Sequence, residues 1–229
     1  FGIGQPPTGS KDPFALRRAS LAVLRILVEK RLDLDLMECL DQAVAQYPAS
    51  TLADGTAEQV FDYMIERFRA WYEEENIPAE VFKSVSARNL SRPLDIQRRV
   101  EAVYAFSLLP QAQALAAANK RVSNILGKLD SAHSFGNVSA NLLVEPQEKK
   151  LLGCLEDLSN ICRKHLEHDE YTEALSCLAA LREPVDAFFD DVMVNVEDAP
   201  LRDNRLNLLK RLRDLFLEVA DISLLAVSK

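Results

Sequence analysis

The chain has 229 residues, 48% of them hydrophobic, and a formal net charge of -8, enough to bury a core in one or two domains. No apolar run approaches the roughly 20 residues of a membrane span and no charged-then-apolar leader opens the sequence, which excludes a membrane-spanning class and predicts a soluble chain with no membrane partner. The 4 cysteines, Cys39, Cys154, Cys162 and Cys177, form no CxxC pair, a pattern suited to a reducing cytosol and a cytoplasmic location rather than to a disulfide framework.

With only 7 Gly, and Leu, Ala, Glu and Arg recurring three and four apart, the composition predicts an all-α protein. The opening "FGIGQPPTGSKDP" is loop-like and lacks an initiator Met, as in a piece of a longer polypeptide. Asp12 then reads as an N-cap with Pro13 at the first helical position, followed by a stripe of Leu16, Ala19, Val23 and Leu27. After a turn at Gly55, Phe61, Met64, Ile65, Phe68 and Tyr72 mark a second amphipathic helix. "IPAEVFKSVSAR" forms a shorter one. Pro93 disfavours helix at Arg92, so "NLSRPLD" reads as a joint between a helical region, 1–92, and a larger bundle, 93–229. The bundle is expected to hold helices around 94–108, 110–128, 146–167, 170–182, 184–194 and 200–220, with a long surface loop over 130–146.

Two of these helices carry cations in an acidic chain. At about 100° per residue, Leu115, Ala118, Val122, Ile125, Leu126 and Leu129 share one side of the 110–128 helix, and Lys120, Arg121, Asn124 and Lys128 share the other. Asn119 projects from the edge of the apolar side and is expected to be a structural hydrogen-bonding residue. On the 200–220 helix, Arg202, Lys210 and Arg213 point outward, whereas Arg205 falls inside the stripe of Leu201, Leu208, Leu212, Leu215 and Val219. A guanidinium placed there requires a carboxylate, expected from Asp190, Asp191 or Glu197. Two basic faces suit a polyanion: lysine and arginine neutralise phosphates, and asparagine and arginine can read unpaired bases. The ordinary alternative is a solvated helix face balanced by acids elsewhere.

Other residues point to structure. Cys162, His165 and His168 fan over about 120° of helix surface without a CxxC partner, which disfavours a zinc site, and no metal is expected. Asp190 and Asp191 are expected to pair with Arg202 or Arg205. Phe61, Phe68, Trp71, Tyr72 and Phe82 sit at core spacing. No GxxxxGK, GxSxG or HExxH motif is present, so no catalytic residue is assigned.

The segments "PPTGSKDPFALRRASLAVLRIL", "AAANKRVSNIL", "LREPVDAFFDDVMVNVED" and "LRDNRLNLLKRLRDLFLEVADISLL" resemble, in order, the carboxyl-terminal part of the beta subunit of bacterial glycyl-tRNA synthetase. The last two also resemble, more distantly, the end of the DALR-type anticodon-binding domain of arginyl-tRNA synthetase, through Phe188, Phe189, Arg202, Arg205, Leu206 and Leu208. The resemblance implies an anticodon-binding bundle from about residue 93, preceded by the end of an HD-like domain. It implies a holoenzyme in which the alpha subunit binds ATP and Mg and activates glycine while the beta subunit grips tRNA(Gly). On this reading the fragment is non-catalytic and binds no cofactor itself, its partners are tRNA(Gly) and the alpha subunit rather than DNA, and Lys120, Arg121, Asn124, Lys128, Arg202, Lys210 and Arg213 approach the tRNA. The alternative is a helical scaffold that holds subunits together.

Overall fold

The computed structural model describes residues 1–8, 11–48, 51–130 and 133–226. Of the stretches read from sequence as loops, Gly9 and Ser10 in the opening segment and Ser131 and Ala132 in the 130–146 loop lie outside the described residues. The all-α expectation holds. Ten α-helices occur among the described residues, with three 3₁₀ turns and, in place of any strand, an isolated bridge between Thr8 and Lys11. The chain divides into two compact units, Phe1–Phe82 with Asn89–Arg98, and Lys83–Arg88 with Arg99–Lys229.

The first unit is built on α1 (Leu16–Glu29), α2 (Leu36–Val44) and α3 (Thr56–Glu74), with α3 packed against the other two. Asp12 does cap α1, its carboxylate accepting from the Leu16 and Arg17 amides at 2.8 and 3.0 Å. The helix nevertheless starts three residues later than expected: Ala15 is left-handed at φ 55 and ends a turn closed by its own N–H on the Asp12 carbonyl. Pro13 therefore lies in that turn. The buried row is Ser20, Leu24 and Leu27, while Ala19 and Val23 are exposed. The apolar residues of α1 run around much of its circumference, so spacing alone did not select the row that packs.

Helix α2 was missed by the periodicity reading, although it carries a sequence-readable cap: the Asp35 carboxylate accepts from the amides of Met37 and Glu38 at 3.0 and 3.2 Å and from the Ser91 hydroxyl. The aromatic residues of α3 pack as expected. Phe68 stacks on Tyr72 with ring centroids 4.8 Å apart, and Tyr72 donates its hydroxyl to Gln97 at 2.6 Å. Phe82 on α4 (Ala79–Ser86) completes the cluster at 5.5 Å from Tyr72.

Helix α5 (Pro93–Ser107) belongs to the first unit up to Arg98 and to the second from Arg99; the second unit continues with α6 (Ala112–Leu126), α7 (Pro146–Leu166), α8 (Tyr171–Leu178), α9 (Arg182–Asp191) and α10 (Ala199–Leu217). Helix α6 packs on α9, α10 and the closing 3₁₀ turn Ile222–Leu225, and α7 packs on α8, α9 and α10. The core between them is filled by Phe106, Leu115, Leu151, Leu155, Phe188 and Phe216, each at most 2% exposed. The expected 170–182 helix ends early, passing into a 3₁₀ turn at Ala179–Leu181, and the expected 184–194 helix stops at Asp191. Arg99 closes the far end of α10: its guanidinium donates to the carbonyls of Glu218 and Val219 at 2.6 and 2.8 Å and lies 4.2 Å from the Tyr171 ring. A cation on the last carbonyls satisfies otherwise orphaned acceptors and opposes the helix dipole.

Candidate nucleic-acid interface

Helix α6 presents its cations as its periodicity predicts. Ala112, Leu115, Ala116, Ala118, Asn119 and Val122 are buried, and Arg121 and Asn124 are exposed on the opposite side, with Lys120 half-buried beside them; the expected helix ends at Leu126, so Lys128 is exposed in the turn that follows. No carboxylate occurs between residues 112 and 128, so the outward stripe has no acid of its own. Asn119 is 2% exposed and donates to the Leu115 carbonyl at 3.0 Å, an i to i-4 bond that spends its amide inside the bundle.

Arg121 does more than face solvent. Its guanidinium carbon lies 4.2 Å from the centre of the Phe189 ring on α9, a separation at which the positive fork sits on the negative face of the ring. Beside this pair, Arg121, Ile125, Asp190, Met193, Val194 and Asn195 line part of a groove of about 510 Å³. Asp190 and Asp191 are both exposed. Asp191 is engaged by the Gln147 amide, which donates to Oδ2 at 2.7 Å.

On α10, Arg202 and Lys210 are occupied within the fold. Arg202 sits 3.8 Å from Asp203 and donates to the Val196 carbonyl at 3.4 Å. Lys210 pairs with Asp214 and lies 5.6 Å from the Phe135 ring. Arg213 is half-buried, and its Nε has no hydrogen-bond partner. The half-buried row Asp203, Asn207, Lys210 and Asp214, spaced at steps of three and four along α10, thus sets a lysine among carboxylates.

Arg205 is buried at 4% exposure, but its partner differs from the one expected. Nε donates to Glu148 Oε1 at 2.6 Å, and Nη1 donates to the Met193 carbonyl at 2.7 Å. Asp190, Asp191 and Glu197 are exposed residues of α9 and the following connection, whereas the guanidinium enters underneath that connection and meets α7. Glu148 is fully buried, and its second oxygen accepts the Glu145 amide at 2.7 Å, completing a capping box on a helix that begins at Pro146. Glu-Pro-Gln-Glu at 145–148 is a readable sign of such a cap; that its carboxylate also holds an arginine 57 positions away is not.

Two asparagines also escaped the sequence reading. The Asn204 side chain accepts the Ser139 amide at 2.7 Å and donates to its carbonyl at 3.1 Å, and Asn207 accepts the Gly136 amide at 3.0 Å. Together they fasten the loop after α6 along α10. His165 and His168 are likewise engaged locally: His165 Nδ1 lies 2.7 Å from Glu170, and His168 Nδ1 lies 2.8 Å from the Lys164 carbonyl, a contact that raises the His168 pKa. Cys162 is buried 3.6 Å from the Ala174 carbonyl, and burial pushes its thiol up to about 11. No cluster of three or more metal-type side chains occurs among the described residues.

Residues 1–87 match the family described as glycyl-tRNA synthetase beta subunit, and residues 115–223, from α6 past the end of α10, match the DALR anticodon binding domain. Proteins described as glycine–tRNA ligase beta subunit are 56% identical in Pseudomonas aeruginosa, 52% in Hahella chejuensis and 51% in Actinobacillus pleuropneumoniae, each over 98% of this chain. The chain spans about a third of the length of these curated relatives, 33%, 32% and 32% respectively. With consecutive matches to both regions and more than half its residues identical to those of the first of these relatives, the chain belongs to the glycyl-tRNA synthetase beta-subunit family.

Proposed function

We propose that this chain is the tRNA-gripping part of a glycine–tRNA ligase: it binds the anticodon region of tRNA(Gly) and makes no or breaks no covalent bond itself. Activation of glycine with ATP and Mg falls to an alpha subunit, with which the beta subunit forms a cytoplasmic holoenzyme. The observation that carries the reading is the outward placement of Lys120, Arg121 and Asn124 on α6, with Lys128 in the turn after it, in a stretch whose own sequence holds no carboxylate, inside the segment that matches an anticodon-binding domain. Each cation placed on a phosphate releases counterions, so affinity falls steeply with salt. Titration of the chain with tRNA(Gly) at several salt concentrations tests this. Lys120→Glu/Arg121→Glu is expected to weaken binding at least about tenfold and to lower the salt slope by about two. Arg202→Ala and Lys210→Ala are expected to weaken binding less, since Asp203 and Asp214 already offset their charges.

A second reading, a scaffold between subunits, draws support from those same α10 ion pairs and from the net charge of -8. Binding that is absent at low salt, or unmoved by Lys120→Glu/Arg121→Glu, favours the scaffold and removes the tRNA reading.

A further inference from the structure

The groove beside Arg121 combines groups that a phosphate backbone does not explain. A surface meant only for phosphates gains nothing from carboxylates, yet Asp190 and Asp191 stand in the same groove as Arg121, and both are exposed. Asp191 is held by Gln147; Asp190 is the carboxylate that lines the groove next to the aromatic platform. Arg121 is held over the Phe189 ring, its guanidinium carbon 4.2 Å from the ring centre. Met193 lines the same groove with 72% of its surface exposed, although its own carbonyl accepts from buried Arg205. A flat cation, a flexible thioether and a carboxylate around about 510 Å³ of open space match the two faces and the edge of a single heterocycle.

We infer that this groove accepts one unstacked nucleobase of the bound RNA, and that Asp190 selects bases carrying an exocyclic amino group over uracil. The inference rests on the tRNA-binding reading and adds a specificity-determining residue to it. Stacking against Arg121 or Met193 is indifferent to base identity. The edge is not: a carboxylate accepts the amino N–H of cytosine, whereas uracil presents its O4 at the same position, oxygen against oxygen. The backbone that forms the groove wall is set by the Arg205 and Arg202 bonds to the Met193 and Val196 carbonyls, so the acceptor is displayed from a fixed frame.

The test uses two RNA hairpins with the same stem and seven-nucleotide loops, all cytidine in one and all uridine in the other, because these pyrimidines differ only at the ring edge. Fluorescence anisotropy at constant salt is expected to give about tenfold tighter binding of the cytidine loop by the chain. With Asp190→Asn the preference falls below about threefold, since an amide can both donate to O4 and accept from an amino group. Equal affinity of the chain for both loops overturns the inference and leaves the tRNA-binding reading standing; so does a preference that survives Asp190→Asn. Failure to bind either hairpin in a salt-sensitive manner overturns both.

Discussion

The buried pair Arg205–Glu148 allows the most quantitative check. Arg205→Met replaces the guanidinium with an uncharged chain of similar length, leaving a carboxylate of 0% exposure with one oxygen still on the Glu145 amide and the other deprived of its guanidinium donor. Removing one partner from a buried pair costs about 3–5 kcal/mol, because the stranded charge remains desolvated. For a chain of this size, about 2–4 °C per kcal/mol converts that into a fall of roughly 6–20 °C in Tm. Urea denaturation followed by circular dichroism measures it directly. Glu148→Gln/Arg205→Met supplies the internal control: it removes the charge while keeping an acceptor for the cap, and it is expected to recover about half or more of the loss. Arg211→Ala, whose pair with Glu156 at 3.3 Å is open to solvent, should cost less than about 1 kcal/mol. An Arg205→Met midpoint within about 1 kcal/mol of the parent, or a double variant no more stable than the single, would refute the claim that an uncompensated charge sets the cost.

Two further outcomes follow from local chemistry. The Ser91 hydroxyl, together with the Glu38 and Met37 amides, holds the Asp35 carboxyl below its usual range. A depressed folded-state value means that this contribution is present above the unfolded carboxyl value, about 3.9, and is lost as pH falls through the folded one. Asp35→Ala is therefore expected to cost about 1 kcal/mol at neutral pH, and the gap from the parent should close as the melts are moved below about pH 4; a gap that stays constant into acid contradicts the assignment. Cys162 is buried with its thiol pushed up to about 11 by desolvation, whereas Cys39 is exposed. At pH 8, iodoacetamide followed by peptide mass spectrometry should label Cys39 well before Cys162, and equal rates would show that the α7–α8 packing opens faster than the burial implies.

Periodicity found nine of the ten helices and the orientation of α6, because an apolar stripe of Leu115, Ala118 and Val122 leaves a single arrangement for Lys120, Arg121 and Asn124. It failed where a helix is apolar on several sides, as in α1, where Val23 and Ile26 remain 43% and 54% exposed. It also passed over α2, nine residues long and marked mainly by its Asp35 cap. Placing Arg205 in the core was within reach of spacing, since a charge inside a leucine stripe is conspicuous. Naming its partner was not, because Glu148 is brought there by the packing of α7 on α10, and proximity in sequence favoured Asp190, Asp191 and Glu197 instead. The same limit applies to Arg121 on Phe189 and to Asn204 and Asn207 on the loop, which are contacts between elements far apart in the chain.

The corner between α9 and α10 is braced through its main chain, by Arg205 on the Met193 carbonyl and Arg202 on the Val196 carbonyl. Both braces grasp main chain and ignore side chains, so the outward residues Met193 and Asn195 are decoupled from the architecture that displays them. Such a corner behaves as an exchangeable cassette: what it offers to a ligand can be rewritten one side chain at a time, while the scaffold beneath keeps its shape.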